Sequence, residues 1–389
     1  MVNARVYLDH AATTSARTAA LEAYLEAART LGNPSSQHAS GRRVRGIVDD
    51  ALAHMAQLLG VPASWLILTS GGTESDNLAL RGLSGADRAR GGAGRIVGCA
   101  TDHPAVVDTV RDLGGALAPV HSTGLLDLDA LDALVAPDDT HPAAVLVSAA
   151  LVNNETGIVQ DLAAIEERIR PLGAVLHTDA VQAIGHVPLP DMERVPLVSI
   201  TGHKIGAPVG AGLLVANPSV TLSPVGTGGG QQRGIRSGTL DAAHAAALAV
   251  ALEETLGARE AEGARVAALS TRLRGVIREA APDAIFTAED APHSPHVVHV
   301  CIEGVDQDAL LFLLDQRGID CSAGSACHAG VTQASHVLSA MGMSEARMRG
   351  AVRFSLGHTS TDADVDALAE VLPDVLPRAR ALGALNRSS

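Results

Sequence analysis

Two stretches decide the reading: Ala174-Val175-Leu176-His177-Thr178-Asp179, and Leu197-Val198-Ser199-Ile200-Thr201-Gly202-His203-Lys204. Each is a short apolar run that stops at residues able to do chemistry. Short apolar strands separated by helical patterns imply βαβ units and a mostly parallel sheet with helices on both faces. In such sheets ligands bind beyond the carboxyl ends of the strands. Asp179 and the Thr201–Lys204 turn therefore face the expected crevice.

Working outward, further strands are predicted at 66–69, 95–100, 116–120, 144–150 and 211–216. Helical patterns occupy 17–29, 38–59, 128–135 and 162–170, with others starting near Thr73 and Pro104. The class is α/β. A long Ala-rich helical stretch covers 240–280. A smaller α+β unit follows: strand 296–303, helix 307–317, a loop bearing Cys321 and Cys327, helix 335–341, strand 351–356 and helix 362–382.

Composition narrows the function. The chain has 389 residues, 47% of them apolar, and a net charge of −14. That charge speaks against a direct nucleic-acid groove and against an anionic membrane surface. No apolar run approaches the length of a membrane span. The amino terminus shows no signal-peptide pattern, and four cysteines without a C-x-x-C pair fit neither a disulfide framework nor a structural zinc site. The expectation is a reduced, cytoplasmic protein.

Lys204 is the sole lysine, against 28 arginines. A GC-rich genome explains the skew, but arginine cannot lose its proton near neutrality or form an imine. The surviving lysine is therefore a candidate for amine chemistry. An acid and a lysine at successive strand ends are what a pyridoxal phosphate site requires, the acid partnering the pyridinium nitrogen. Asp179 alone would equally serve as a helix cap. Ser70-Gly71-Gly72-Thr73 joins a strand to a helix, a place where an anion can bind. Neither the dinucleotide fingerprint nor a phosphate-loop lysine motif is present there. His103, after strand 95–100, could stack on a flat ring or move protons. The small-residue segment Cys321–Gly330 presents thiols that a nucleophilic role could use, with His328 beside Cys327. Arg353, on an apolar strand, either pairs with a local acid or grips a carboxylate.

Taken in order, these pieces resemble the cysteine desulfurases of the NifS/IscS family, in the class V aminotransferase group. The likeness runs from Tyr7-Leu8-Asp9-His10-Ala11-Ala12-Thr13-Thr14, through Gly32-Asn33-Pro34-Ser35-Ser36, to Arg353-Phe354-Ser355-Leu356-Gly357. It implies a fold-type-I architecture. A large domain, residues 15–255, would hold a seven-stranded sheet and pyridoxal 5'-phosphate. A small domain, residues 1–14 and 256–389, would carry the cysteine loop.

The resemblance also implies roles. Lys204 would hold the cofactor as a Schiff base and shuttle protons, and His103 would stack on the ring. Gly72, Thr73, Thr201 and His203 would hold the phosphate, with Thr239 reaching in from the second subunit of a homodimer. Asp179 would pair the ring nitrogen and Gln182 the phenolic oxygen. Asn154 would touch substrate and cofactor, and Arg353 would bind the carboxylate of L-cysteine. Cys327 would take the sulfur as a persulfide and pass it to a sulfur-acceptor protein, in iron–sulfur assembly, tRNA thiolation or a DndA-like DNA phosphorothioation. The alternatives are a class V aminotransferase or a selenocysteine lyase-like enzyme. The chain departs from the family pattern at Asp102, at His328 and in its tail, Ala384–Ser389.

Overall fold

The computed structural model describes residues 5–324 and 334–386. Seven strands form one sheet, in the order Leu66–Thr69, Gly212–Ala216, Leu197–Thr201, Val175–Asp179, Leu146–Ser148, Ile96–Cys99, Ala116–Ala118. This is the mostly parallel sheet that the alternating pattern implies. Only Gly212–Ala216 runs antiparallel to its neighbours. The reason is length, since segment 202–211 is shorter than the dozen or so residues that a parallel crossover needs. Several strands stop short of their apolar runs: 95–100 reduces to Ile96–Cys99 and 116–120 to Ala116–Ala118.

The edge strand Leu66–Thr69 has a chain partner on one side only. On the other, the Gln232 amide acts as a substitute ladder partner. It accepts from Leu68 N at 2.6 Å and donates to Leu68 O at 2.9 Å. The backbone of Leu68 on this unpaired side is thereby satisfied.

Helix Ala242–Ala280 is 39 residues long, which at 1.5 Å per residue makes it about 58 Å. Asp241 caps its start by accepting from His244 N at 3.0 Å. Its first half is rich in alanine and packs closely against helices Thr18–Ala28 and Ala39–Leu59. Leu248 and Leu252 there join the core under the sheet. Leu269, Leu273 and Ile277, in its second half, join another core with Phe286, Val300, Phe354 and Leu372. That second core surrounds the antiparallel strands Ile285–Phe286, Val297–Cys301 and Ala351–Ser355. The helix is thus the covalent strut between two hydrophobic cores.

Three small elements escape a periodicity reading because they are too short to show one. Val6–Tyr7 pairs in parallel with Ile319–Asp320, and helix Glu345–Met348 precedes the last strand. The final helix runs through Pro373 and Pro377 to Asn386, beyond the expected end at 382.

Asp102 ties the strand ends together. Its carboxyl accepts from Cys99 N at 3.2 Å and from Ala150 N at 2.8 Å. Burial pushes its pKa from 3.8 up to about 8. The unfolded chain loses this proton near its ordinary value while the fold keeps it. This group therefore lowers stability as pH rises from about 4 to about 8, and the effect is constant above that. Asp102→Ala leaves two buried N–H groups unpaired and is expected to cost about 2–4 kcal/mol. Asp102→Asn, retaining one acceptor oxygen, is expected to lose less and to flatten the pH slope. Denaturant titration across pH checks both.

Candidate active site

The carboxyl ends of the parallel strands gather on one edge of the sheet, and a cavity of about 90 Å³ opens there. Leu66–Thr69 leads into helix Gly72–Ala89, which has no side-chain cap. Its first N–H groups are therefore available to an anion. Glycine is required at this turn. A Cβ on Gly212 would lie 2.5 Å from Gly71 N and Cα, and one on Gly72 would lie 2.8 Å from Val181 Cγ2. The helix start is in this way drawn against the Asp179 turn.

Gly72, Thr73, Thr201 and His203 line one part of this cavity. His103, Asn154, Asp179, Gln182 and Lys204 line the rest. Residues far apart in sequence converge because they lie at the ends of several neighbouring strands. Arg353 lies next to the cavity, its Nη1 donating to Asn154 O at 2.7 Å. Its Nη2 donates to Asp9 Oδ1 at 2.8 Å, and its buried Nε has no partner. Thr239 is exposed and does not line the cavity. Cys327 and His328 lie outside the described residues.

The electrostatics follow from burial. Lys204 is pushed from 10.5 down to about 8, mainly by desolvation, with Asp179 pulling the other way. Half of it is the free amine near pH 8. Burial raises Asp179, while the N–H of Val181 at 2.8 Å, His103 and Lys204 favour its anion. His103 Nδ1 accepts from Ala105 N at 3.1 Å, so the neutral ring carries its proton on Nε2, and burial lowers its pKa. His203 falls to about 4 through burial and the nearby Lys204 charge. It contacts Thr13 Oγ1 at 3.1 Å. Gln182 has both ends of its amide engaged, donating to Ala11 O at 2.8 Å and facing His296 Nε2 at 3.2 Å.

Sequence reading missed Asp76. It follows Thr73 by one helical turn, so it shares that face, and it lines the same cavity. Its Oδ1 is buried without a hydrogen bond, and His177 Nε2 stands 3.6 Å away. Burial and the Asp179 charge both push Asp76 up. Two buried carboxyls in one cavity do not both ionise. Asp179 has the N–H donor and the cationic neighbours, so it is the anion and Asp76 keeps the proton.

Among the described thiols, the placement of Cys321 departs from the loose-loop expectation, while a structural role for it stands. Cys321 is partly buried rather than presented on a loose loop, and burial pushes its pKa well up. Cys99 and Cys301 are buried and raised to about 12 and about 11. None of these three is poised as a thiolate.

What fits this cavity is a flat, phosphorylated aromatic aldehyde. A free helix start with Thr73, Thr201 and His203 suits a phosphate. A buried anion, Asp179, suits a protonated ring nitrogen, and a depressed lysine suits imine formation. The aminotransferase class-V family model matches residues 6–368. An IscS-like cysteine desulfurase from Mycobacterium tuberculosis is 43% identical over 384 residues, covering 96% of this chain and 97% of that protein. A NifS-like protein from Rickettsia africae superposes with a TM-score of 0.85 at 27% identity, covering 96% and 99% of the two chains. DndA from Streptomyces lividans superposes with a TM-score of 0.72 at 31% identity, covering 90% and 99%. The chain belongs to the aminotransferase class-V family, among the pyridoxal-phosphate-dependent cysteine desulfurases.

Proposed function

We propose that the chain removes sulfur from L-cysteine, releases L-alanine and carries the sulfur on Cys327 before passing it to an acceptor protein. The observation that carries this is the convergence of Lys204, Asp179 and His103 in one buried cavity with Arg353 at its side.

The cofactor, when bound, supplies an electron sink for charge developing at the substrate Cα. Asp179 holds the ring-nitrogen proton, and protonated Asp76 keeps that negative charge single. Thr73, Thr201 and His203 hold the phosphate together with the first turn of helix Gly72–Ala89. Lys204 Nζ, near its neutral point at physiological pH, takes the Cα proton and later donates a proton back. His103, whose Nδ1 is held by the Ala105 N–H, would stack against the cofactor ring. Arg353 binds the substrate carboxylate. Asp9 already occupies that guanidinium, so the substrate either displaces Asp9 or uses the unpartnered Nε. The Cys327 thiolate attacks the substrate sulfur. A sulfur–sulfur bond forms and the carbon–sulfur bond breaks. The electron pair stays on Cβ, which takes a proton to become the methyl group of alanine.

The described ends of the cysteine loop support this role. Ser322 pairs with Arg353 through both backbone hydrogen bonds, at 3.1 and 2.7 Å. Ser335 Oγ donates to Glu155 Oε2 at 2.5 Å, and His336 Nε2 meets Asp102 O at 2.9 Å.

The reading includes a cytoplasmic homodimer in which Thr239 completes the partner's site. Its exposure, beside the exposed Gly-rich loop 226–230, supports that. It also includes the division into residues 15–255 and residues 1–14 with 256–389. The pairing of Val6–Tyr7 with Ile319–Asp320 and the separate second core support the division.

Wild-type protein is expected to yield alanine and, with reductant, sulfide from L-cysteine. Cys327→Ala is expected to keep the bound cofactor and its absorption while losing turnover. Full activity in that variant, or keto acid in place of alanine, would refute the assignment. Arg353→Lys keeps the charge but loses the fork, so kcat/KM for L-cysteine should fall roughly 10- to 100-fold. Because Lys204 is the sole lysine, an amine-reactive probe on the cofactor-free protein reads it alone beside the amino terminus. Labelling of Lys204, located by peptide mass spectrometry, should show a midpoint near pH 8. Asp179→Asn should move that midpoint down, since the lost anion no longer favours the ammonium.

A further inference from the structure

Lys204 and Gln182 also line a second cavity, of about 40 Å³. That exceeds the roughly 10–15 Å³ that one water needs. Its walls are unusual for an interior, because His10, His186, His296 and His358 all contribute rings. His186 and His296 stack with centroids 3.7 Å apart. His296 is fully committed, with Nδ1 at 2.6 Å from Ser294 Oγ and Nε2 on Gln182. His10 is not. It is 5% exposed, and its Nε2 is buried without a hydrogen-bond partner. A buried polar atom beside a cavity of this size calls for a water.

The other nitrogen of His10 leads outward. Nδ1 lies 2.7 Å from Thr14 Oγ1, and Thr14 Oγ1 lies 3.4 Å from His358 Nδ1. His358 Nε2 faces the hydroxyl of exposed Ser15 at 3.4 Å. This is a file of hydroxyl and imidazole groups from the surface to the cavity wall. Burial lowers the pKa of His10 to about 4 and also lowers that of His358. Both are therefore neutral at physiological pH, and a neutral imidazole can donate at one nitrogen while accepting at the other. The charged groups facing the cavity are Lys204, Arg17 and Glu262.

We propose that this histidine-walled cavity holds water and, through His10, Thr14 and His358, exchanges protons between Lys204 and solvent. The inference rests on the reading of Lys204 as the group that takes the substrate proton. In the outward direction a proton leaves Nζ for the cavity water, and a water proton goes to His10 Nε2. The Nδ1 proton of His10 passes to Thr14 Oγ1, whose own proton goes to His358 and then to bulk. Each group gains one proton and loses one, so only Lys204 and solvent change charge. The reverse sequence reloads the amine.

The test uses the cofactor-loaded enzyme and L-cysteine deuterated at Cα, in ordinary water. The deuterium content of product alanine and of recovered cysteine is read by mass spectrometry. Wild type is expected to wash the label out to solvent. Thr14→Val, nearly isosteric but without the hydroxyl, is expected to retain several-fold more label. His10→Leu should do the same, and Thr14→Ser should restore wash-out. Wash-out in Thr14→Val or His10→Leu equal to wild type overturns the proposal, as does full retention in wild type. Failure of the sulfur chemistry is separable. In that case no alanine forms, but exchange in recovered cysteine still compares the variants.

Discussion

Arg353 joins parts of the chain that lie far apart in sequence. Its Nη1 holds the carbonyl of Asn154, on the loop after a central strand of the large sheet. Its Nη2 holds Asp9, on the amino-terminal segment. Its backbone pairs with Ser322, where the cysteine loop begins. One buried guanidinium thus registers the second core, the amino terminus and the crevice against each other. Such a cation is stable in the interior only when paired. The pairing therefore constrains where all three partners sit.

The amino-terminal segment extends that constraint. Thr14 N donates to His203 O at 3.0 Å, and Arg17 N donates to Gly206 O at 2.8 Å. Arg17 Nε adds a bond to Ile205 O at 2.9 Å. The backbone around Lys204 is therefore clamped by residues nearly two hundred positions earlier. A rigid mount matters for this lysine, because desolvation is the main cause of its lowered basicity, against the pull of Asp179, and small shifts in burial would change it.

The cavity itself illustrates how one sheet edge sorts charge. Asp179 has a backbone N–H and two basic neighbours. Asp76 has no cation close by, and Asp102 is held between two N–H groups deeper in the fold. Of three carboxyls close together, burial thus favours the proton on Asp76 and Asp102, and only Asp179 offers a negative charge to a ligand. The histidines divide likewise. His177 is neutral and structural, bonded to Ser148 and Ser199. His103 presents its free nitrogen to the crevice.

Much of this was legible in the sequence. Apolar runs of strand length, each ending in Asp179, Lys204, His103 or Thr73, specify a parallel sheet and a crevice at its carboxyl edge, because side-chain period and strand polarity are local properties. A single lysine marks the amine chemistry for the same reason: only that side chain can do it. What tertiary structure alone decided is long-range. Asp76 looks like an ordinary helix residue until the helix start packs on Val181. Cys321 looks like a loop thiol until the second core covers it. Arg353 and Asp9 are 344 positions apart, and no local pattern relates them. The histidine cavity is assembled from the amino terminus, the turns after two sheet strands, the long helix, the start of strand Val297–Cys301 and the last strand's end. Burial, and hence the protonation state of each group, is a property of the packed chain and not of any segment in it.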